Sequence, residues 1–214
     1  TIDGYDRFAR SCQKAGGSFV PVESNPIDAV WKDRPAAPLA PVLPHPVEFA
    51  GETSESRRRR IADIVREKGA DVVLITQPDS IAWLLNVRGG DVPRTPFALG
   101  FALLHTDGHV DLYMDRRKIP DRTVAWLGNA VTLAPPHELG AALDMMGKAG
   151  KRVMVESSTA PYWAATRLQA AGVTLVRDAD PVALPKACKN EVELNGIRAA
   201  HRRDGAAVSR FLSW

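Results

Sequence analysis

DVVLITQPDSIAWLLNVRGGDVPRTPFALGFALLHTDGHVDLYM, residues 71–114, decides the fold. Asp71 to Thr76 reads as a buried strand, because its four consecutive apolar residues leave no polar alternation for a solvated face. Pro78 opens a helix running to Val87, with Ile81, Ala82, Leu84 and Leu85 on a helical period. Phe97 to His105 reads as a second strand. Thr106-Asp107-Gly108 is a hairpin turn, and Val110 to Met114 is the partner strand.

Outward from this stretch the pattern alternates. Upstream, Ser54 to Lys68 is a helix ended by Gly69. Downstream, the spacing predicts a helix over 115–127, a strand over 131–133, a helix over 136–148, a strand over 152–156, a helix over 160–171, a strand over 173–177 and a helix from Glu191 onward. Strands alternating with helices indicate an α/β domain, with parallel pairs linked by crossovers and one antiparallel hairpin. Nearer the start, residues 3–15 place Tyr5, Phe8, Ala9 and Cys12 at helical spacing before Gly16-Gly17. Ser18 to Val22 is a short β-prone run, and Asn25-Pro26 opens the short helix NPIDAVW with Asn25 as its N-cap. From Asp33 to Pro46 five prolines (Pro35, Pro38, Pro41, Pro44 and Pro46) make a semi-rigid extended linker, the best domain boundary in the chain.

Of the 214 residues, 45% are apolar, enough for a real core, and 25% are charged, which argues against wholesale disorder. The longest apolar stretch, Phe97 to Leu104, falls far short of the ~20 residues that span a bilayer, so no membrane partner is expected. No basic-then-apolar leader is seen. Thr1 opens the chain and Trp214 closes it inside a helical pattern, which reads as a piece of a longer protein.

A net charge of +3 biases only weakly toward anionic partners. The one dense basic run, Arg57-Arg58-Arg59-Arg60, precedes Ile61, Ile64 and Val65. It reads as the solvated first half of an amphipathic helix rather than as a nucleic-acid patch, since no aromatic residues interleave with it. Cys12 and Cys188 are far apart, with no C-x-x-C pattern, which fits a reducing compartment such as the cytoplasm. A single bridge between them stays open.

No zinc helix H-E-x-x-H, no G-x-S-x-G elbow, no phosphate loop and no G-x-G-x-x-G is present. His105 and His109 flank the hairpin turn, where a metal would need Asp107 or Asp111 as a third ligand; solvent-exposed hairpin residues are the favoured reading. Asp178 and Asp180 read as loop caps. The cluster Asn86, Arg88, Gly89, Gly90, Asp91, Pro93 lies between a helix end and a strand, where α/β folds place ligand-contacting loops. Its plainer reading is a tight turn with Asp91 paired to Arg88. The residues alone thus give a soluble α/β domain with no self-contained catalytic constellation.

Four segments, in order, resemble the large three-domain cytosolic aminopeptidase P (Xaa-Pro aminopeptidase) of the creatinase/prolidase "pita-bread" metallopeptidases. They are NPIDAVWKDRPAAPLAPV (25–42), TQPDSIAWLLNVRGGDVPRTP (76–96), HVDLYMDRRKI (109–119) and KACKNEVELNGIRAAHRRDGAAVSRFLSW (186–214). The resemblance implies a creatinase N-terminal-like, ribonuclease H-like mixed sheet flanked by helices. It divides the chain into the end of a first such domain with its linker (1–42), a second (43–186), and the first helix of a catalytic domain (187–214).

It further implies an enzyme that removes the residue before a proline in second position, in the cytoplasm, as a homodimer. Two divalent metal ions, usually manganese, would be held by two Asp, one His and two Glu that follow that helix. None of these ligands has a matching position here, so the chain is expected to bind no cofactor and to hold no catalytic residue; His201 matches a helix residue, not a ligand. By the same resemblance Asn86, Arg88 and Asp91 become candidates for substrate binding on the cleft rim, with Arg88 suited to a carboxylate. A scaffold, oligomerisation or substrate-gating role follows. The alternatives are a non-enzymatic protein-interaction module and a ribonuclease H-like nuclease. The nuclease would need Asp71, Asp111, Asp115 and Glu156 to converge on Mg²⁺. The last helix, with Ile197, Ala200, Val208, Phe211, Leu212 and Trp214, is expected to be frayed, swapped or packed on a neighbour.

Overall fold

The computed structural model describes residues 1–22 and 24–214. In chain order its elements are α1 (Ile2–Lys14), α2 (Pro26–Val30), β1 (Leu43–Pro44), α3 (Val47–Ala50), α4 (Ser54–Glu67), β2 (Val72–Ile75), α5 (Pro78–Leu84), β3 (Val87–Arg88), β4 (Phe101–His105) and β5 (Val110–Tyr113). There follow α6 (Asp121–Leu127), β6 (Val131–Ala134), α7 (Leu139–Lys148), β7 (Arg152–Val155), α8 (Tyr162–Ala170), β8 (Thr174–Arg177), α9 (Ala183–Ala187) and α10 (Glu191–Ser213).

The apolar run Val72–Ile75 is buried at every position and forms an inner strand of a six-stranded sheet. The strand order is β6-β5-β4-β2-β7-β8. Only β4 runs against its neighbours; β5–β6, β2–β7 and β7–β8 are parallel. The register sets Val72 opposite His105 on one side and Val153 on the other. The antiparallel β4–β5 hairpin and the parallel pairs follow the pattern of residues 71–177; β2–β4 is a second antiparallel pair, which that pattern does not give.

Alternation along the strands sends side chains to two cores. Val73, Ile75, Ala102, Leu104 and Leu112 pack with Ile61 and Val65 of α4 and Ile81 and Leu84 of α5. Val72, Leu74, Leu103 and Val153 pack on the other face with Leu143 of α7, Leu168 of α8 and Ile2 of α1. Each of these buried Val, Leu and Ile side chains stabilises the fold by about 1.5–3 kcal/mol. At Gly147 of α7 an added Cβ would lie 1.9 Å from the Ala171 carbonyl oxygen, so a glycine is what lets α7 approach the end of α8.

Several boundaries differ from the sequence pattern. The helix expected over 115–127 is broken into a 3-10 turn at Arg116–Lys118 and α6, because Pro120 supplies no N–H and sits at the N-cap of α6. The strand expected from Phe97 begins at Phe101 instead. The Phe97 carbonyl accepts from the Asp91 N–H, and Leu99 N–H donates to the Asp91 carboxylate, which diverts residues 97–100 from the sheet. Ser18–Val22 forms no strand, and the run is exposed. Helix α2 and its Asn25 cap form as expected. Cys12 and Cys188 are both free thiols, so the bridge left open above is not made. Among the described residues no helix is long and apolar enough to cross a membrane.

Candidate functional site

The basic run of α4 sets up the site, and it is not the solvated face its composition implies. The Arg57 side chain is fully buried and that of Arg58 nearly so, whereas Arg59 and Arg60 are exposed and pair with Glu55 and Glu52. Helical phase explains the split: Arg57 lies one turn before Ile61, and Arg58 one turn before Ala62. Arg58 donates to the Gly108 carbonyl of the hairpin. The Arg57 guanidinium donates to the Trp83 carbonyl at 2.9 Å, the Asn86 side-chain oxygen at 2.7 Å and the Ala50 carbonyl at 2.8 Å. It also stacks 4.2 Å above the Trp83 ring and reaches Glu193 of α10 at 3.3 Å.

That contact fixes how α10 leaves the domain. Asn190 caps α10 by accepting from Glu193 N–H, while the Glu193 carboxylate accepts from Asn190 N–H. The Asn190 amide donates to the Ala50 carbonyl at 2.8 Å. Gly51, at φ +69°, makes room for it, since a Cβ there would fall 2.4 Å from the Asn190 oxygen. Beyond this anchor α10 overhangs an open groove of about 1150 Å³. Its apolar lining comes from Val192, Ile197 and Ala200 of α10, Ala82 and Trp83 of α5, Pro96, Phe97 and Phe49, and its charged lining from Glu48, Asp79, Arg88, Lys186, Lys189 and Glu193, with His45 beside them.

The three candidate residues of the 86–91 loop fall in different places. Asn86 is fully buried at φ +50° and ends α5; its amide donates to the Glu52 carbonyl at 2.7 Å, and its own carbonyl accepts from His45 N–H. Asp91 is buried and pairs with Lys118 at 2.6 Å, not with Arg88 as the tight-turn reading has it. Its second oxygen is buried without a partner. Arg88 alone lines the groove. It donates through Nη1 to the Val87 and Ala82 carbonyls and, among the described residues, has no ion pair. Burial, then the neighbouring Arg57 charge, pushes its guanidinium below the ordinary value. Burial, then Arg88 and Arg57, pushes the His45 imidazole down as well.

Elsewhere the charged candidates are taken up structurally. His105 and His109 are half-buried rather than solvent-exposed, and both face Asp111, at 2.9 and 3.4 Å. The His105 hydrogen bond, working against burial, holds the Asp111 carboxyl below its ordinary value. Asp71 accepts from Arg152 N–H, Asp115 caps the 116–118 turn and Glu156 accepts from Thr159, so these strand-end carboxylates do not converge. Asp178 and Asp180 do cap the loop after β8 through Ala179 and Val182 N–H. Among the described residues no three of His, Cys, Asp and Glu gather as a metal ion would need. Trp83, Glu193 and Ile197 were not singled out by the sequence for the groove; the phase of Arg57 against Ile61 was the available signal for the anchor.

The fold and the groove define the class: a mixed-sheet α/β domain, helices on both faces, with a long helix leaving its rim. The chain belongs to the Creatinase/Prolidase N-terminal domain family, whose profile matches residues 33–193. Among curated proteins it is similar to a probable Xaa-Pro aminopeptidase P of Ajellomyces capsulatus, 35% identical over 97% of this chain and 34% of that protein. One of the same description from Aspergillus niger is 35% identical over 100% of this chain and 36% of its own length. The chain thus spans about a third of the length of the curated relatives it matches. Among solved structures, the X-prolyl aminopeptidase from Caenorhabditis elegans, described as a cytosolic enzyme with a di-nuclear active site, matches with a TM-score of 0.89 at 26% identity, over 100% of this chain and 35% of that one. An Xaa-Pro dipeptidase from Bacillus anthracis shares the fold, with a TM-score of 0.57 at 16% identity over 75% of this chain and 43% of that one.

Proposed function

We propose that this chain is the non-catalytic N-terminal part of a cytoplasmic Xaa-Pro aminopeptidase, a homodimeric hydrolase that removes the residue preceding proline. The observation that carries the reading is the end-to-end match to relatives of that description, each about three times as long. Residues 1–42 are then the end of a first creatinase-like domain and its linker, 43–186 a second, and 187–214 the first helix of the catalytic domain. Proline gives the scissile peptide bond no N–H and a fixed φ, so a dedicated site is needed to cleave before it.

Two divalent ions, Mn²⁺ in this reading, would activate water and polarise the scissile carbonyl. The donor set of the described residues does not fit such a pair. No step of hydrolysis is therefore assigned to it, and the metals belong to the part of the longer enzyme that follows. What the chain contributes is a scaffold for the catalytic domain and a rim for the cleft. Arg88 is the residue of the rim that touches peptide, while Asn86 and Asp91 hold its loop from behind.

A manganese-supplemented Xaa-Pro cleavage assay tests this on the 214-residue chain and on the chain extended to the length of its relatives. Turnover in the long form alone is the expected result. Turnover in the short form would overturn it. Silence in both would favour a protein-interaction module built on a peptidase-like fold.

A further inference from the structure

Asp91 and Lys118 pair at 2.6 Å with both side chains almost wholly out of water. Desolvating two charges is costly, and their attraction offsets that cost only when the remaining lone pairs and protons are satisfied as well. Here one is not: Asp91 Oδ1 is buried and has no partner among the described residues. Such a pair is a poor stabiliser, and its role lies in what it grips. Both partners close on the backbone of one residue. Lys118 Nζ donates to the Leu99 carbonyl at 2.7 Å, and the Leu99 N–H donates to Asp91 Oδ2 at 2.7 Å. The Leu99 side chain is 43% exposed, so apolar burial does not hold it there.

Leu99 ends a strap, residues 89–99, that precedes β4 outside the six-stranded sheet. Gly89 N–H donates to the Pro96 carbonyl and Asp91 N–H to that of Phe97, which joins the two legs of the strap. A Cβ at Gly89 would fall 2.7 Å from that of Ala98, so the legs meet this closely only over a glycine. The tip turns between Val92 and Thr95, with Arg94 at φ +64°. Of residues 92–99, Ala98 is buried and the rest are half-buried or exposed. The strap carries Thr95, Pro96 and Phe97 to the groove, while Asp91 and Lys118 do not line it.

We infer that Asp91 and Lys118 are a latch for this strap, positioning residues that select its groove-lining conformation while adding little net stability. The hydrogen bonds between the legs run within the strap, whereas the pair joins it to the 116–118 turn. One wall of the groove is therefore set by two charges that stand behind it. Released, the strap would swing on Gly89-Gly90 and Gly100 and open that wall.

Three forms of the 214-residue chain test the inference: the unaltered chain, Lys118→Met, and Asp91→Leu combined with Lys118→Met. The single variant leaves a buried carboxylate without its cation, and its urea midpoint should fall. The double variant puts apolar side chains in place of the pair and should regain most of that loss. Its strap should nevertheless be loose. The Gly89 amide, which bonds to neither partner, should exchange about tenfold faster or more than in the unaltered chain, while the Val73 and Leu103 amides of the sheet stay slow. Trypsin should likewise cut faster after Arg94. Unchanged exchange at Gly89 with an unchanged cut would mean that the strap keeps its own shape, and the latch is overturned. A double variant as unstable as Lys118→Met, or one that does not fold, overturns it too, because the pair would then hold the domain itself together.

Discussion

Arg57 shows how far one side chain's context departs from its composition. In a run of four arginines it is the one that disappears from solvent, and five groups face it: two carboxylates, two carbonyls and the Asn86 side-chain oxygen. Taking a guanidinium out of water is costly, and that cost is offset only while all these acceptors are in place. Its removal therefore leaves half-buried Glu193 without its cation, Glu52 with Arg60 alone, and the buried Asn86 side-chain oxygen without a donor. Arg57→Met should destabilise the domain by about 3–5 kcal/mol, read as a lower urea midpoint. Arg60→Ala should cost no more than about 1 kcal/mol, because its pair with Glu52 is largely exposed. Similar losses for the two would mean that Arg57 is no more than a surface cation in solution.

At the scale of elements, α10 depends on its anchor. None of its residues is buried, so no packed face stabilises it beyond the groove. Isolated helices are marginal in water, and Gly196 and Gly205 each cost about 1 kcal/mol relative to alanine. The Asn190 capping box and the Arg57–Glu193 contact thus fix its first turns, while its last turns rely on local propensity. Hydrogen exchange should find amides of residues 194–199 protected and those of 205–213 fast. Asn190→Ala should cost about 1 kcal/mol and speed exchange in the first group. Uniform protection along the helix would refute this gradient.

The elements were legible wherever the pattern was local. Val72–Ile75 is too apolar and too short for anything but an inner strand, and the Asn25-Pro26 start needs only its own side chain. Phe97–Gly100 has the composition of a strand but exchanges its hydrogen bonds with Asp91, whose N–H donates to the Phe97 carbonyl and whose carboxylate accepts from Leu99 N–H, a partner choice written outside the segment. Ser18–Val22 has β-propensity and no strand to pair with, and propensity alone does not make a sheet. The break before α6 is carried by Pro120 alone, which supplies no N–H to continue the 116–118 turn. The groove was not legible at all, since residues 45, 83, 88, 97 and 197 meet only after the chain has folded.

For the molecule as a whole, one stripe on α10 joins the site to the surface. Ile197, Ala200, Val208 and Phe211 fall on one helical face, with Leu212 beside it. Its first half lines the groove; its second half is exposed, with Phe211 at 69% and Leu212 at 77%. The N-terminal segment bares a second apolar surface through Phe8, Val20, Val22 and Trp31. Exposed large apolar side chains of this kind seek a partner, and in a solution of this chain alone another copy is the available one. The chain should therefore self-associate as its concentration rises, followed by light scattering on a sizing column. Phe211→Lys together with Leu212→Lys should shift the distribution toward monomer while leaving the thermal midpoint in place, because neither side chain supports the core. An unshifted distribution would place the association on the N-terminal surface, and Val20→Lys with Val22→Lys would then be the pair that dissociates it. A chain monomeric at every concentration would mean that neither apolar surface recruits a second copy.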